Sequence, residues 1–201
     1  MENGLKDSMS LSLRQLTIAG MLIGITIFMG LTRLGFIPLP TGVNLTIMHI
    51  PVIIGAILEG PLVGSIIGFA FGLFSMYQAF TAPGLFSFWF WNPVIAILPR
   101  VLIGLVSYYT YKFLKERFKK ASIGAAAIAG TLINTIGVLS LAYLFYGQRI
   151  GELLTSLDIS SSAGYYLAVT IGMINGIPES IVSALISAPV ILTILKIKKR
   201  M

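Results

Sequence analysis

Residues 44–60 read NLTIMHIPVIIGAILEG and contain the only histidine of the chain, His49. The run is apolar from Ile50 to Leu58, but Pro51 leaves only about two helix-competent turns before Gly60 and Pro61. A helix rises ~1.5 Å per residue and the hydrocarbon of a bilayer is ~30 Å thick, so this stretch does not cross alone as a helix. Residues 45–50 are then expected as extended chain leading into it. Pro51 suits the first helical turn, where its missing N–H is not needed. Irregular backbone is not tolerated against lipid, so the extended piece is covered by protein or lines a cavity.

Composition makes lipid the relevant solvent. Hydrophobic residues are 56% of the 201 and charged ones 10%, with a mean hydropathy of +0.93. A soluble domain carries about 25% charged residues. The length suits one polytopic domain over 1–201, with a polar segment at 1–12 and a basic tail at 196–201. MENGLKDSMSLSLRQ has no small-residue cleavage site before the first apolar run, so no signal peptide is expected. The chain has no cysteine, which excludes disulfides, thiolate chemistry and cysteine metal sites.

Apolar runs predict an all-α membrane protein, a six-transmembrane-helix bundle with spans at 13–31, 46–59, 62–80, 93–114, 122–146 and 168–195. The second span is the short one, preceded by a lid loop, TRLGFIPLPTGVN. Lys6, Arg14, Lys112, Lys115, Arg117, Lys119, Lys120, Lys196, Lys198, Lys199 and Arg200 then fall on one side, 11 of the 14 basic residues. The positive-inside rule places that side, with both termini, in the cytoplasm. The same bias explains the net charge of +7 without nucleic acid. On the other side, TAPGLFSFWFWN holds both tryptophans, Trp89 and Trp91, which reads either as an interfacial belt or as part of a cover over a site.

Ionisable groups inside spans are costly and by default suggest function. Arg100 follows Pro99 and Glu179 follows Pro178, and a mid-helix proline frees a carbonyl one turn earlier. Asn175, Glu179 and Ser183 are spaced by four and share a helix face. From the helix rise, Arg100 lies ~10 Å and Glu179 ~16 Å below the outer surface, and Asn134 lies ~12 Å below it. The chain leading to His49 enters from the same side, so these residues converge on an outward-facing polar pocket. Each also has a structural reading: an Arg100–Glu179 ion pair, asparagines as interhelical hydrogen-bonding groups, and His49 as a satisfied loop histidine. A lone histidine without neighbouring ligands does not make a metal site. Gly64, Gly68 and Gly72 in span three, and Gly20 and Gly24 beside Ala19 in span one, have the four-residue spacing that lets helices approach closely. No GxxxxGK[ST], HExxH or GxSxG motif is present, so the chain is not expected to hydrolyse ATP or to act as an enzyme.

Three stretches, NLTIMHIPVIIGAILEGPLVGSIIGFAFG, FWNPVIAILPRVLIGLV and NGIPESIVSALISAPV, resemble the S components, or substrate-specific subunits, of energy-coupling factor (ECF) vitamin transporters. The likeness runs from span one to span six. It is greatest to the pantothenate subgroup, with hydroxymethylpyrimidine or pyridoxine carriers next and riboflavin carriers as a further alternative. The resemblance implies a multi-pass protein of the bacterial cell membrane that binds a vitamin at its outer side, under the loop joining spans one and two. His49, Gln78, Trp89, Asn92, Arg100, Asn134, Asn175 and Glu179 are the candidate contacts there. It implies a transmembrane coupling subunit and two ATPases as partners, with ATP used by those partners and no cofactor in this chain. Members dock through small residues on span one, usually alanines spaced by four. Here Gly20 and Gly24 take that spacing with Ala19 beside them, but Ile23 stands where a second alanine would follow Ala19. The rival classes are a self-sufficient ion-coupled secondary transporter working through Glu179 and an intramembrane enzyme using Glu179 and His49.

Overall fold

A computed structural model describes residues 11–37, 45–118 and 121–198. Six helices dominate: α1 (Leu13–Leu31), α2 (Ile50–Glu59), α3 (Pro61–Thr81), α4 (Pro93–Leu114), α5 (Ala121–Ser156) and α6 (Ala163–Lys198). A two-residue ribbon joins α1 to α2, with β1 (Phe36–Ile37) antiparallel to β2 (Leu45–Thr46) and Phe36 opposite Thr46. A short 3-10 turn, Ser87–Trp91, precedes α4. Five of the helices are long and apolar enough to cross a membrane, and α2 is the exception.

The short helix is the hub. Every residue from Ile50 to Ile57 is buried, and α2 touches all five other helices. That follows from its sequence, since a helix apolar on all sides has no face to offer water and is buried by its neighbours. Pro51 lies in the first turn as expected, but the extended entry is shorter than the expected 45–50: it covers Leu45–Thr46, and the chain then turns, with His49 already helical (φ −79°, ψ −14°) ahead of Ile50. Gly60 alone links α2 to α3, at φ 107°, a conformation that a residue with a Cβ rarely adopts. Pro61 then opens α3.

One end of the bundle is tied together at Glu59. Its carboxylate accepts from Arg14 at 3.0 Å and lies 4.0 Å from Lys198, while its main-chain oxygen accepts from Gln15 at 3.0 Å. The start of α1, the end of α2 and the end of α6 therefore share one end of the molecule. At the opposite end, Gln78 Nε2 donates to the Gly30 carbonyl at 3.1 Å, joining the tops of α1 and α3.

Two helices depart from the expected spans. Span five is expected to stop at 146; the helix continues to Ser156, but its backbone breaks at Tyr146 (φ −131°, ψ 15°). The kink leaves ~39 Å of helix before it, enough to cross the hydrocarbon. Span six begins earlier than expected, and its Tyr166–Met173 stretch is π-helical. The lid loop is described as far as Ile37 and again from Leu45; its residues 38–44, with Lys6, Lys119, Lys120, Lys199 and Arg200, lie outside the described residues.

Candidate functional site

The α3–α4 contact sets the position of the site. Gly64 packs against Gly104, and a Cβ at Gly68 would collide with the carbonyl oxygen of Arg100. At Gly72 a Cβ would come within 2.7 Å of the Ala96 carbonyl oxygen. Backbone thus meets backbone along the stripe, as the four-residue spacing predicts, and Arg100 sits at this close contact. Pro99 has no N–H to give to the carbonyl of Ile95, one turn earlier. Arg100 Nη1 uses that freed oxygen, at 2.8 Å. The proline beside the arginine is therefore part of how the arginine is held.

The guanidinium lies between two aromatic faces, 4.6 Å from the Phe90 ring centre and 5.5 Å from that of Phe71. Only 5% of the residue is exposed, and its Nε has no protein partner. Glu179, equally buried, makes no ion pair with Arg100 within 4.0 Å among the described residues. Its carboxylate instead accepts from the main-chain N–H of Thr46 in β2 at 2.6 Å, with the Thr135 hydroxyl beside it. Of the readings left open by the sequence, the Arg100–Glu179 ion pair is not formed among the described residues; β2 instead brings a main-chain N–H next to the carboxylate.

These groups line a cavity of about 450 Å³, at the end of the bundle opposite Glu59. That volume is within the range of small-molecule sites, roughly 300–1,000 Å³. Arg33, Phe36 and Thr46 form the wall next to the ribbon, Phe71, Ser75 and Gln78 come from α3, and Trp89 and Phe90 from the 3-10 turn. Arg100 in α4, Asn134, Thr135 and Val138 in α5, and Ile171, Asn175 and Glu179 in α6 face it as well, and the loop 82–87 closes a further side. Ile171 lies in the π-helical stretch and Asn175 just beyond it. Each π-type turn takes an extra residue, which shifts the facing of every later side chain, and such bulges recur at functional sites.

Six of the eight candidate contacts, Gln78, Trp89, Arg100, Asn134, Asn175 and Glu179, therefore border one cavity. The other two do not. Asn92 caps α4, accepting from Val94 N at 3.0 Å. His49 is fully buried beneath the site, its Nε2 2.9 Å from the Thr131 hydroxyl. The Thr131 hydroxyl also lies 2.9 Å from the Ala127 carbonyl, so its one proton serves that oxygen or the imidazole according to the tautomer of His49. Nδ1 lies near the main chain of Thr46 without a well-aligned hydrogen bond. The imidazole thus joins the entry of α2 to α5.

The two tryptophans divide between the two readings of their segment. Trp89 is buried against Phe86, with ring centres 4.9 Å apart, and its Nε1 has no partner. Trp91 is half exposed, stacked on Phe80 and bonded to the Ala79 carbonyl. Arg33, Thr46, Phe71 and Thr135 are wall residues that sequence reasoning does not single out. Arg33 carries a signal, being with Arg149 one of two basic residues on the sparsely charged side; it also holds φ 57°. Phe71 carries none, since an aromatic residue within an apolar helix is ordinary.

On α1, Gly20 and Gly24 face outward, and a Cβ added at either would meet no atom of the chain within 4 Å, whereas Ala19 is buried in the core. Ala19 is therefore absent from the outward face that the sequence assigns to it with the two glycines.

A bundle of membrane-crossing helices around a polar cavity matches a known class of protein. Residues 14–191 match the family of ECF transporter substrate-specific components, and the chain belongs to that family. It is a multi-pass protein of the bacterial plasma membrane with a role in transport. Over 166 residues it is 32% identical to the pantothenic acid transporter PanT of Lactococcus lactis subsp. cremoris (strain MG1363), covering 76% of this chain and 78% of that protein. Over 119 residues it is 37% identical to the pantothenate transporter PanT of Leuconostoc mesenteroides subsp. mesenteroides, covering 55% and 58%.

Proposed function

We propose that this subunit captures pantothenate from outside the cell and delivers it with a separate transmembrane coupling subunit and two ATPases. The names of both relatives support the vitamin. The observation that carries the reading is the charge balance of the cavity. Among the described residues its wall holds two guanidinium groups, Arg100 and Arg33, and one carboxylate, Glu179, already engaged by a main-chain N–H. The balance favours a ligand with one negative charge.

Arg100 supplies the geometry. Nη1 is fixed to Ile95 and the planar group is held between Phe71 and Phe90, while the Nε edge has no protein partner. That edge can give two parallel hydrogen bonds to a carboxylate, which lysine cannot match. Trp89 Nε1 and Asn134 Oδ1 are further unpartnered polar atoms on wall residues. With Gln78 and Asn175 they suit the hydroxyl and amide groups of the vitamin. Buried polar groups are nearly always satisfied, so such a set suggests that a polar ligand completes it.

The positive-inside rule puts the Glu59 end in the cytoplasm and the cavity toward the outside. The outward face of α1 with Gly20 and Gly24 is where the coupling subunit docks. ATP is consumed by the partners, and this chain needs no cofactor.

Comparing pantothenate with its alcohol, in which the carboxylate is reduced, tests the reading. The wild-type subunit should prefer the acid, and Arg100→Ala should weaken acid binding at least about thirtyfold, as for truncating one partner of a buried charge pair. Equal affinity of the wild type for acid and alcohol would make Arg100 structural and favour a neutral pyrimidine or pyridine vitamin.

A further inference from the structure

A cavity suited to an anion still contains one acid, and its geometry accounts for that. Glu179 is 5% exposed and, among the described residues, is the only acid at the wall. Its shortest contact is the 2.6 Å bond from Thr46 N, made across 133 residues of sequence from α6 to β2. Thr46 pairs with Phe36 in β1, and its hydroxyl accepts from Met48 N at 3.3 Å. A two-residue ribbon has too few ladder bonds to hold its own position, because even longer isolated hairpins are marginal. A hydrogen bond to a charged acceptor is stronger than a neutral one and, when buried, is little weakened by water.

We infer that Glu179 is a positioning residue that fixes the β1–β2 ribbon against the cavity through the main-chain N–H of Thr46, rather than a contact for the ligand. Its charge is directed at the ribbon, away from the role of repelling an incoming anion. The inference deepens the proposed reading of the cavity, but its test uses no vitamin, so each can fail separately.

The absence of cysteine from the chain makes the test direct. Leu45, next to Thr46 in β2, is buried at 4% exposure, so in Leu45→Cys a thiol reacts with maleimide only when the ribbon leaves its place. In the full-length ligand-free protein in detergent, adding Glu179→Ala should speed labelling at least about tenfold, the lower limit for losing a hydrogen bond to a charged group. Glu179→Gln keeps a carbonyl oxygen as acceptor and should hold labelling within about threefold of the parent, since a neutral bond contributes less than a charged one. Ile191→Cys, fully buried in the same helix, should stay unreactive in the Glu179→Ala background. Unchanged labelling at position 45 in Glu179→Ala would overturn the inference. So would failure of Glu179→Gln to restore slow labelling, or reactivity at position 191, which marks general loosening of the bundle.

Discussion

Two helices carry glycines at the same spacing and meet different surroundings. In α3, Gly68 and Gly72 are covered by α4, and Gly64 by Ala56 of α2 together with Gly104 of α4, so closely that a Cβ at any of them would strike a neighbour. In α1, Gly20 and Gly24 meet nothing within 4 Å. Spacing therefore reports that a surface can accept a close neighbour, without saying whether that neighbour belongs to the same chain. The difference tracks position in the bundle. α3 lies between α2 and α4, whereas α1 packs on α2 and α3 with its other side open, exposing Leu16, Met21, Ile25 and Phe28.

Substitutions can break this contrast, and the largest effect is expected in α3. Gly68→Ala sets a methyl group against the carbonyl of Arg100, which cannot move without shifting α4. Overpacking of this sort costs about 1–3 kcal/mol or more. Ligand affinity, measured by titration calorimetry, and thermal stability should both fall, because the displaced atom belongs to the proposed anchor. A full-affinity Gly68→Ala protein would show that the α3–α4 contact does not set the arginine.

A more selective loss is expected from Gly24→Leu. The side chain enters open space, so the isolated subunit should fold and bind its vitamin as before, while co-purification with the coupling subunit and transport both drop. Equal loss of binding and assembly would mean instead that α1 is packed against its own bundle at this position.

Gly20→Ala should do least. A methyl group has room there, and alanine favours a helix over glycine by roughly 0.5–1 kcal/mol. The melting temperature of the isolated subunit should rise slightly, with vitamin binding unchanged. A fall would place a hidden contact on this face.

The sequence is most legible where chemistry and length act locally. Pro51 and the brevity of its apolar run predict a partial helix entered by extended chain, and the structure has both. Depth along the spans puts Arg100, Asn134 and Glu179 on the outer side of the bundle, and all three border one cavity. What cannot be read depends on rotation and on neighbours distant in the chain. The chain leading to His49 enters from the same side, but its ring meets Thr131 and does not border the cavity. The attraction of opposite charges leaves an Arg100–Glu179 pair open as one reading, yet the main-chain N–H of Thr46 takes the carboxylate. Main-chain donors leave no mark in a sequence, so that competition is invisible there. The π-helical Tyr166–Met173 stretch is equally hidden, having no proline or glycine pattern that distinguishes it from ordinary helix.

The brevity of α2 has a volumetric consequence. A crossing helix needs about 20 residues, and α2 supplies 10. The deficit amounts to ~15 Å of a rod about 10 Å wide, and a thin two-stranded ribbon takes the chain across it. Among the described residues none of α2 borders the cavity, and the wall on that side is formed by Phe36 and Thr46 of the ribbon, so the start of the second helix decides how much of this wall is thin extended chain. On this view, a descendant whose second helix began before Thr46 would replace that wall residue of the ribbon by a thicker rod and narrow the chamber. Capacity for a larger or smaller ligand would then be tuned by where the second helix begins, one turn at a time.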